Sequence, residues 1–139
     1  MLRVLTALLL LAPTFACAEN PTTAAVGSVA QVQASFATVD VHDLKLLREG
    51  AELLVLDVRT AREFTAGHMP GALNIDVGVL AGSLTELDGY RDQPVYVSCR
   101  TSNRSRVASQ ILVDAGFSDV TQVLGGFSEW ESSGYAVER

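Results

Sequence analysis

The sequence is poor in positive charge, and its apolar runs are short. Lys and Arg number 10 against 16 Asp and Glu, so the net charge is -6. It has no stripe of basic residues of the kind that binds a phosphate backbone, which argues against nucleic acid as a partner. The apolar run at residues 4–12 is shorter than the roughly 20 residues that a membrane span requires, which argues against a retained membrane helix.

Residues 1–18 predict a secretory signal peptide. Arg3 precedes the apolar run, and small residues follow that run up to Ala18, which is the pattern of a cleavable export signal. We expect cleavage between Ala18 and Glu19, a mature protein without a membrane anchor, and a periplasmic location, with secretion as the second choice. The alternative is a lipoprotein cleaved before Cys17 and lipidated on it, but the residues ahead of Cys17 fit that pattern poorly.

Cysteine is also scarce, and cleavage of the signal peptide leaves a single thiol, because the sequence contains only Cys17 and Cys99. The mature protein then cannot form an intramolecular disulfide. An unpaired thiol in an oxidising compartment is prone to oxidation, so the retention of Cys99 indicates that its reactivity is used. A single cysteine, with no evident metal-ligand partner for His42, also argues against a zinc site.

The remaining chain is long enough for one domain with its own core. Residues 19–35 lack strong periodicity and carry no charge after Glu19, which predicts a flexible leader, with a short helix packed on the core as the alternative. Residues 36–139 form the predicted domain. The sequence contains no internal repeat and no second domain, and we expect a monomer.

Within residues 36–139, short β-branched or apolar runs alternate with segments that have helical spacing. The predicted strands are residues 36–39, 53–56, 72–75, 95–97 and 120–123. The predicted helices are residues 40–50, 61–65, 79–87, 104–115 and 127–132. This alternation is typical of an α/β fold with a mainly parallel sheet, in which ligand sites lie beyond the carboxyl ends of the strands.

Cys99 lies between the end of a predicted strand and the start of a predicted helix, in the segment VYVSCRTSNRSR at residues 95–106. Turn N–H groups and the unpaired N–H groups of a helix start can converge there on an anion site. Arg100 and Arg104 add positive charge, and nearby cations favour the reactive thiolate form of cysteine. The alternative is a buried, inert cysteine, with the arginines solvated or paired with carboxylates.

Three other polar residues receive structural rather than catalytic assignments. Asp57 and Arg59 follow a buried strand, which favours an internal salt bridge over catalysis. His68 lies in a turn-rich segment, which favours a histidine hydrogen-bonded to the backbone over a general base. The aromatic residues Phe127 and Trp130 are predicted core residues of the last helix.

Three motifs occur in a set order: LLVLDVRTAREFTAGHMPGALNI at residues 53–75, VYVSCRTSNRS at residues 95–105 and GFSDVTQVLGGFSEW at residues 116–130. Together they resemble the single-domain rhodaneses, a family of thiosulfate-type sulfurtransferases. The resemblance covers about residues 36–135. It implies a rhodanese-like sandwich of the α/β class, with a central, mainly parallel five-stranded sheet and helices on both faces.

The resemblance also implies the chemistry of the site. Cys99 is then the nucleophile and becomes a persulfide, and the loop after it cradles the sulfur and binds a small anionic donor such as thiosulfate. The implied substrate-binding residues are Arg100, Thr101, Ser102, Asn103 and Arg104. The acceptor is a thiophile or a protein of unknown identity, and neither a metal nor a cofactor is needed.

Two other functions and one departure from the family pattern stay open. The domain is alternatively a carrier that passes its persulfide only to a protein partner. A cysteine phosphatase, the weaker alternative, generally has one more residue in its loop than separates Cys99 from Arg104. Similar sequences often have glycine at the position of Ser102. Serine at positive φ costs very roughly 1–2 kcal/mol. If the loop needs positive φ at Ser102, it is either strained or shaped differently from the loops that have glycine.

Overall fold

The computed structural model describes residues 35–139. The predicted signal peptide, its cleavage site and the alternative lipid site at Cys17 lie outside the described residues. So does the predicted leader up to residue 34. These four features therefore stay predictions, and the fold below is that of the predicted domain.

Strands and helices alternate along the described chain, as the sequence pattern predicts. The strands are β1 (Ala37–Val39), β2 (Leu54–Asp57), β3 (Leu73–Asn74), β4 (Val95–Ser98) and β5 (Val120–Val123). The helices are α1 (Val41–Gly50), α2 (Ala61–Ala66), α3 (Val77–Leu80), α4 (Asn103–Asp114) and α5 (Gly126–Ser132). A 3₁₀ helix, Leu84–Tyr90, lies between α3 and β4.

All five strands pair in parallel in one sheet, in the order β1-β5-β4-β2-β3. β4 is central, with its Val97 opposite Leu56 of β2 on one side and Gln122 of β5 on the other. The predicted five-stranded sheet is confirmed, and it is entirely rather than mainly parallel. Parallel pairing puts every carboxyl end at the same edge, so the segments that follow β2, β4 and β5 meet there.

Helices cover both faces of the sheet, as predicted. On one face Leu56 packs with Leu112 of α4, and on the other Val55 packs with Leu44 of α1 and Trp130 of α5. β2 and β4 are therefore buried on both sides, which is why they appear in the sequence as continuous apolar runs instead of alternating patterns.

The helices α1 and α2 begin at side chains that accept hydrogen bonds from the first turn. Asp40 accepts from the N–H groups of His42 and Asp43 at 2.9 and 2.8 Å, which confirms the predicted start of α1. At α2, Thr60 and Glu63 bond reciprocally in a capping box. This box fixes the position of the Glu63 carboxylate, which also forms part of the candidate site.

The predicted continuous helix at residues 79–87 is wrong, because α3 and the 3₁₀ helix occupy that region as two separate elements. Gly82 lies between them, and glycine is about 1 kcal/mol less favourable than alanine inside a helix. The N–H of Gly82 donates to the Val79 carbonyl at 2.9 Å, and that of Glu86 to Ser83 at 3.0 Å. These are the three-residue bonds of a tighter turn.

The other predicted elements begin and end within one residue of the observed bounds. None of the helices found in residues 35–139 combines the length and the apolar character needed to cross a membrane. The same residues contain no cluster of three or more His, Cys, Asp or Glu side chains with the geometry of a metal site.

Candidate active site

Cys99 follows β4 directly and lies at the carboxyl edge of the sheet. It is a free thiol, only 1 % of its surface is exposed, and it packs with the apolar residues of the face that α4 covers. The loop of residues 99–102 carries the chain from β4 into α4. Cys99 therefore lies between a strand end and a helix start, as predicted, and it is almost fully buried.

The first two carbonyl groups of the loop are bound by the start of α5. The N–H of Phe127 donates to the Cys99 carbonyl at 2.8 Å, and the N–H of Ser128 donates to the Arg100 carbonyl at 2.9 Å. These are N–H groups that a helix start leaves without partners inside the helix. The same contacts therefore satisfy the first turn of α5 and hold the loop in place.

Gln122 holds the other end of the loop. Its side-chain amide donates to the Ser102 carbonyl at 2.7 Å and to the Ser105 hydroxyl at 3.2 Å. The Ser102 carbonyl also accepts from the Ser105 hydroxyl and from the N–H of Arg106. Gln122 is 4 % exposed in the middle of β5, and a buried amide in a strand was the signal that sequence reasoning missed.

The N–H groups of the loop are in the opposite situation from its carbonyl groups. Within residues 35–139, the N–H groups of residues 100–104 donate to no backbone or side-chain acceptor. Five successive donors beside a cysteine, two of them in the first turn of α4, form a site that favours negative charge. That these donors converge on the Cys99 sulfur as an anion cradle stays a prediction.

Ser102 does not adopt the conformation that glycine would make easy. Its φ is -157°, and positive φ among residues 35–139 is confined to glycines. The Ser102 hydroxyl donates to the Thr101 carbonyl at 2.6 Å and accepts from the N–H of Gly125 at 3.2 Å, so it does not cap α4. The loop thus needs no positive φ at Ser102, and the Ser102 side chain does not cap the first turn of α4.

Gly126 allows α5 to approach the loop closely. Its φ is +58°, and a Cβ atom there would lie 2.4 Å from the Cys99 carbonyl oxygen and 2.7 Å from that of Thr101. A side chain at this position therefore cannot be accommodated without moving the loop backbone. Gly126, the second glycine of the pair visible in the sequence, is required by this contact between α5 and the Cys99 loop.

Arg104 is paired with Glu63 of α2 rather than left free. Its two terminal nitrogens donate to the two carboxylate oxygens at 2.7 and 2.8 Å. The hydrogen bonds from Arg104 lower the pKa of Glu63 to about 2, and the pairing raises the pKa of Arg104. The carboxylate-paired alternative for Arg104 is therefore the observed geometry, and its binding to a donor stays a prediction.

Asp57 and Arg59 form the predicted internal salt bridge, which is confirmed. Both are almost fully buried, and the closest contact between the guanidinium and the carboxylate is 2.7 Å. Arg59 also donates to the Gly67 carbonyl at 2.8 Å and lies 4.2 Å from the centre of the Phe127 ring. The pair thus joins the end of β2 to the segment after α2 and to α5.

His68 and Trp130 also have the structural roles predicted for them. The Nδ1 atom of His68 lies 2.9 Å from the Phe64 carbonyl oxygen, and its ring stacks on the ring of Phe64. Trp130 is 2 % exposed, and its indole N–H donates to the Ala136 carbonyl. Neither residue has a place in the loop around Cys99.

A cavity of about 480 Å³ borders the loop. Its walls come from α2, the loop and α5, and its lining residues are Arg59, Arg62, Glu63, Ala66, Gly67, Arg100, Phe127 and Glu131.

Arg62 was not among the predicted site residues, because an exposed arginine on a short helix carries no distinguishing signal in the sequence. Of the other predicted residues, Arg100, Thr101 and Asn103 are exposed and lie where the loop meets solvent.

The sheet is entirely parallel, its central strand ends at a cysteine, and the loop after that cysteine leads into a helix. This arrangement is typical of proteins that transfer a group by way of a cysteine. The family model for the rhodanese-like domain matches residues 40–133. The chain therefore belongs to the rhodanese-like domain family. The predicted fold class and the predicted family are both confirmed.

Several relatives carry sulfurtransferase names. The thiosulfate sulfurtransferase GlpE of Shewanella oneidensis is 33% identical over 99 residues, which are 71% of this chain and 96% of that protein. The GlpE of Pseudomonas putida is 40% identical over 86 residues, 62% of this chain and 74% of that protein. An adenylyltransferase and sulfurtransferase of Meyerozyma guilliermondii is 36% identical over 101 residues, 68% of this chain but only 23% of its own length.

Solved structures share the fold. A rhodanese-related protein of Thermoplasma volcanium has a TM-score of 0.66 and 29% identity, covering 74% of this chain and 98% of that one. A thiosulfate sulfurtransferase of Pseudomonas aeruginosa has a TM-score of 0.65 and 32% identity, covering 75% of this chain and 20% of that one. Family, relatives and fold together support a rhodanese-type sulfurtransferase activity in general.

Proposed function

We propose that this protein takes a sulfane sulfur from an anionic donor such as thiosulfate, holds it as a persulfide on Cys99, and transfers it to a thiophilic acceptor. The observation that carries the proposal is the row of five N–H groups at residues 100–104, directly after the thiol, for which residues 35–139 supply no acceptor. The thiosulfate sulfurtransferase names of relatives that match most of the chain support the choice of donor.

In the first step the Cys99 thiolate attacks the outer sulfur of thiosulfate. A new S–S bond forms, the S–S bond of the donor breaks, and sulfite leaves with the electron pair of that bond. Cys99 then carries a persulfide anion, whose charge lies one atom further from the protein backbone. The loop N–H groups are the donors available to stabilise that charge, and such preorganised donors often supply the largest catalytic contribution.

In the second step an acceptor nucleophile attacks the outer sulfur of the persulfide and releases the Cys99 thiolate. The two displacements use the same site in turn, so ping-pong kinetics are expected. Thiolate attack requires no general base during the reaction. The sulfur is carried by the cysteine itself, so the proposed reaction needs no metal or cofactor.

Incubation of the purified protein with thiosulfate tests this proposal. We expect the intact mass to increase by one sulfur atom per chain, the addition to map to Cys99, and cyanide or dithiothreitol to reverse it. The Cys99→Ser variant should keep its circular dichroism spectrum and acquire no sulfur, because the hydroxyl group of serine is a poor nucleophile by comparison. Absence of an adduct from thiosulfate and from other sulfane donors would reject sulfurtransferase activity.

The same preparation separates the two alternatives. A protein that accepts sulfur from thiosulfate but does not release it to cyanide is a carrier for a protein partner. Hydrolysis of a chromogenic aryl phosphate with no sulfur uptake would instead identify a cysteine phosphatase. We expect release to cyanide and no phosphate hydrolysis.

We also propose that the protein acts after export, in the periplasm. The support is the pattern of residues 1–18, with one arginine, an apolar run and a small-residue end. Expression with the natural N-terminus should yield a mature chain that begins at Glu19. Edman sequencing of the periplasmic fraction checks this, and a chain that keeps Met1 in the cytoplasm would contradict it.

A further inference from the structure

Gln122 binds the Cys99 loop from a neighbouring strand. It lies in β5, opposite Val97 of β4, and is 4 % exposed. Its side-chain amide reaches the Ser102 carbonyl at 2.7 Å, at the point where the loop enters α4. The carbonyl groups of Cys99 and Arg100 are instead bound by backbone N–H groups of α5. Of these three contacts, only that of Gln122 depends on the identity of a side chain.

The Ser102 carbonyl has two further donors, which come from α4 itself. The Ser105 hydroxyl lies 3.0 Å and the backbone nitrogen of Arg106 3.1 Å from the carbonyl oxygen. The Gln122 amide also donates to the Ser105 hydroxyl at 3.2 Å, so it binds the loop and the first turn of α4 together. Because buried polar groups are costly to leave without partners, this network fixes the start of α4 against β5.

This network also sets the direction of an N–H group in the loop. The peptide bond between Ser102 and Asn103 is planar and trans, so the Ser102 carbonyl and the Asn103 N–H point to opposite sides. With the carbonyl bound to Gln122, the Asn103 N–H points away from the Gln122 amide. It is one of the five loop N–H groups for which residues 35–139 supply no acceptor. Such N–H groups at a helix start favour a negative charge in front of them.

We propose that Gln122 is a positioning residue for sulfur transfer, which orients the peptide between Ser102 and Asn103 and so directs a loop N–H group to the charge on the Cys99 sulfur. The inference rests on the proposed function, in which the loop stabilises first a thiolate and then a persulfide anion. Gln122 acts through the loop backbone, because its amide is buried and bonded to Ser102 and Ser105.

The reactivity of the Cys99 thiol tests the proposal without any sulfur donor. The rate of alkylation of Cys99 by iodoacetamide is measured by mass spectrometry at a pH below and a pH above that at which a free cysteine ionises. An N–H group directed at the sulfur favours the thiolate, so it raises the rate at the lower pH relative to the rate at the higher pH. In Gln122→Leu, which removes the amide and keeps a side chain of similar size, we expect this ratio of rates to fall about tenfold, as for the loss of one hydrogen bond to a charged group. The rate of sulfur loading from thiosulfate should fall by a similar factor.

Ser105→Ala is a second, milder variant. It removes one donor to the Ser102 carbonyl and the second partner of Gln122, so we expect the ratio of alkylation rates to fall about threefold. Arg91→Leu is the matched control, because it removes a side-chain hydrogen bond of 2.8 Å to the Ala115 carbonyl at the other end of α4. It should lower the stability measured by urea unfolding and keep the wild-type ratio.

The outcomes separate a positioning role from a structural one. An unchanged ratio in Gln122→Leu, or in Ser105→Ala if Gln122→Leu does not fold, would overturn the proposal, because Gln122 would then only stabilise the fold. So would an equal fall of the ratio in Arg91→Leu, which would indicate a general loosening of α4.

Failure of the positioning role can be distinguished from failure of the proposed function, because alkylation requires no sulfur transfer. A fall of the ratio confined to Gln122→Leu and Ser105→Ala, in a protein that takes no sulfur from any sulfane donor, would reject the sulfurtransferase and keep the positioning of the loop. Wild-type loading from thiosulfate in both variants, together with a wild-type ratio of alkylation rates, would reject the positioning role alone.

Discussion

Two sides of the Cys99 loop differ in how completely their polar groups are bonded. On the anchored side, which comprises the loop carbonyl groups with Arg59 and Arg104, each of the groups described has a partner close by. On the open side, which comprises the N–H groups of residues 100–104 with Arg62 and Arg100, no partner is found among residues 35–139. Similar chemical groups therefore serve structure on one side and are available to a ligand on the other.

This difference predicts where mutations act. A change on the anchored side should lower stability and disturb the cradle together, because a buried group loses its partner. A change on the open side should affect turnover and leave stability within about 0.5 kcal/mol of the wild type, as surface substitutions usually do. The three predictions that follow test the anchored side, from the largest expected effect to the smallest.

Asp57→Ala should have the largest effect on stability. It leaves Arg59, which is 1 % exposed, as an uncompensated buried charge, and breaking such a pair costs about 3–5 kcal/mol. Urea unfolding monitored by circular dichroism measures this loss. Asp88→Ala is the control, because it breaks the exposed pair between Asp88 and Arg91 and should cost under about 1 kcal/mol. Similar losses in the two variants would show that burial of the pair is not what matters.

Gly126→Ala should have the next largest effect and should also impair sulfur loading. The new Cβ would overlap the carbonyl oxygens of Cys99 and Thr101, and positive φ adds strain, so we expect a loss of about 2–4 kcal/mol. Gly116→Ala is matched, since its φ is +88° but nothing lies within 4 Å of the added atom. Gly116→Ala should lose only the stability that positive φ costs an alanine, about 1–2 kcal/mol, and should load sulfur normally from thiosulfate. Normal loading in Gly126→Ala would contradict the role of α5 in shaping the loop.

Local patterns in the sequence predict most of the fold. These patterns involve residues that are close together in the sequence. They are the apolar run at β2, the turn signals around it and the helical spacing after Cys99, and they identify the sheet and the position of the thiol. The failure at residues 79–87 is also local, because a single glycine divides a pattern that otherwise has helical spacing.

The bonding of the loop depends instead on contacts between distant residues. Arg104 and Glu63 are 41 residues apart, and Gln122 is 20 residues from the carbonyl it binds. Nothing in the sequence around Arg104 shows that a capping box has placed a carboxylate opposite it. For the same reason, sequence alone did not distinguish Arg104, which is paired, from Arg62, which is not.

Glu63→Gln should have the smallest effect on stability and a distinctive dependence on pH. The pair with Arg104 is partly exposed, so we expect a loss of about 1 kcal/mol near pH 7. Arg104 lowers the pKa of Glu63 in the folded protein from 4.5 to about 2. The ion pair therefore stabilises the fold fully at pH values above the pKa that Glu63 has in the unfolded chain. This stabilisation is lost as the pH falls towards the pKa that Glu63 has in the folded protein. The difference between wild type and variant should therefore shrink between about pH 5 and about pH 2.

A double-mutant cycle assigns this effect to the ion pair. Arg104→Gln alone should cost about as much as Glu63→Gln, and the double variant should cost little more than either, which gives a coupling energy of about 1 kcal/mol near pH 7. Urea midpoints of the four proteins, measured at several pH values, provide the numbers. Additive losses, or a coupling that does not change as the pH falls through the acid range, would mean that the ion pair with Glu63 does not hold Arg104. Arg104 would then belong with Arg62 and Arg100 on the open side of the loop, free to bind the donor.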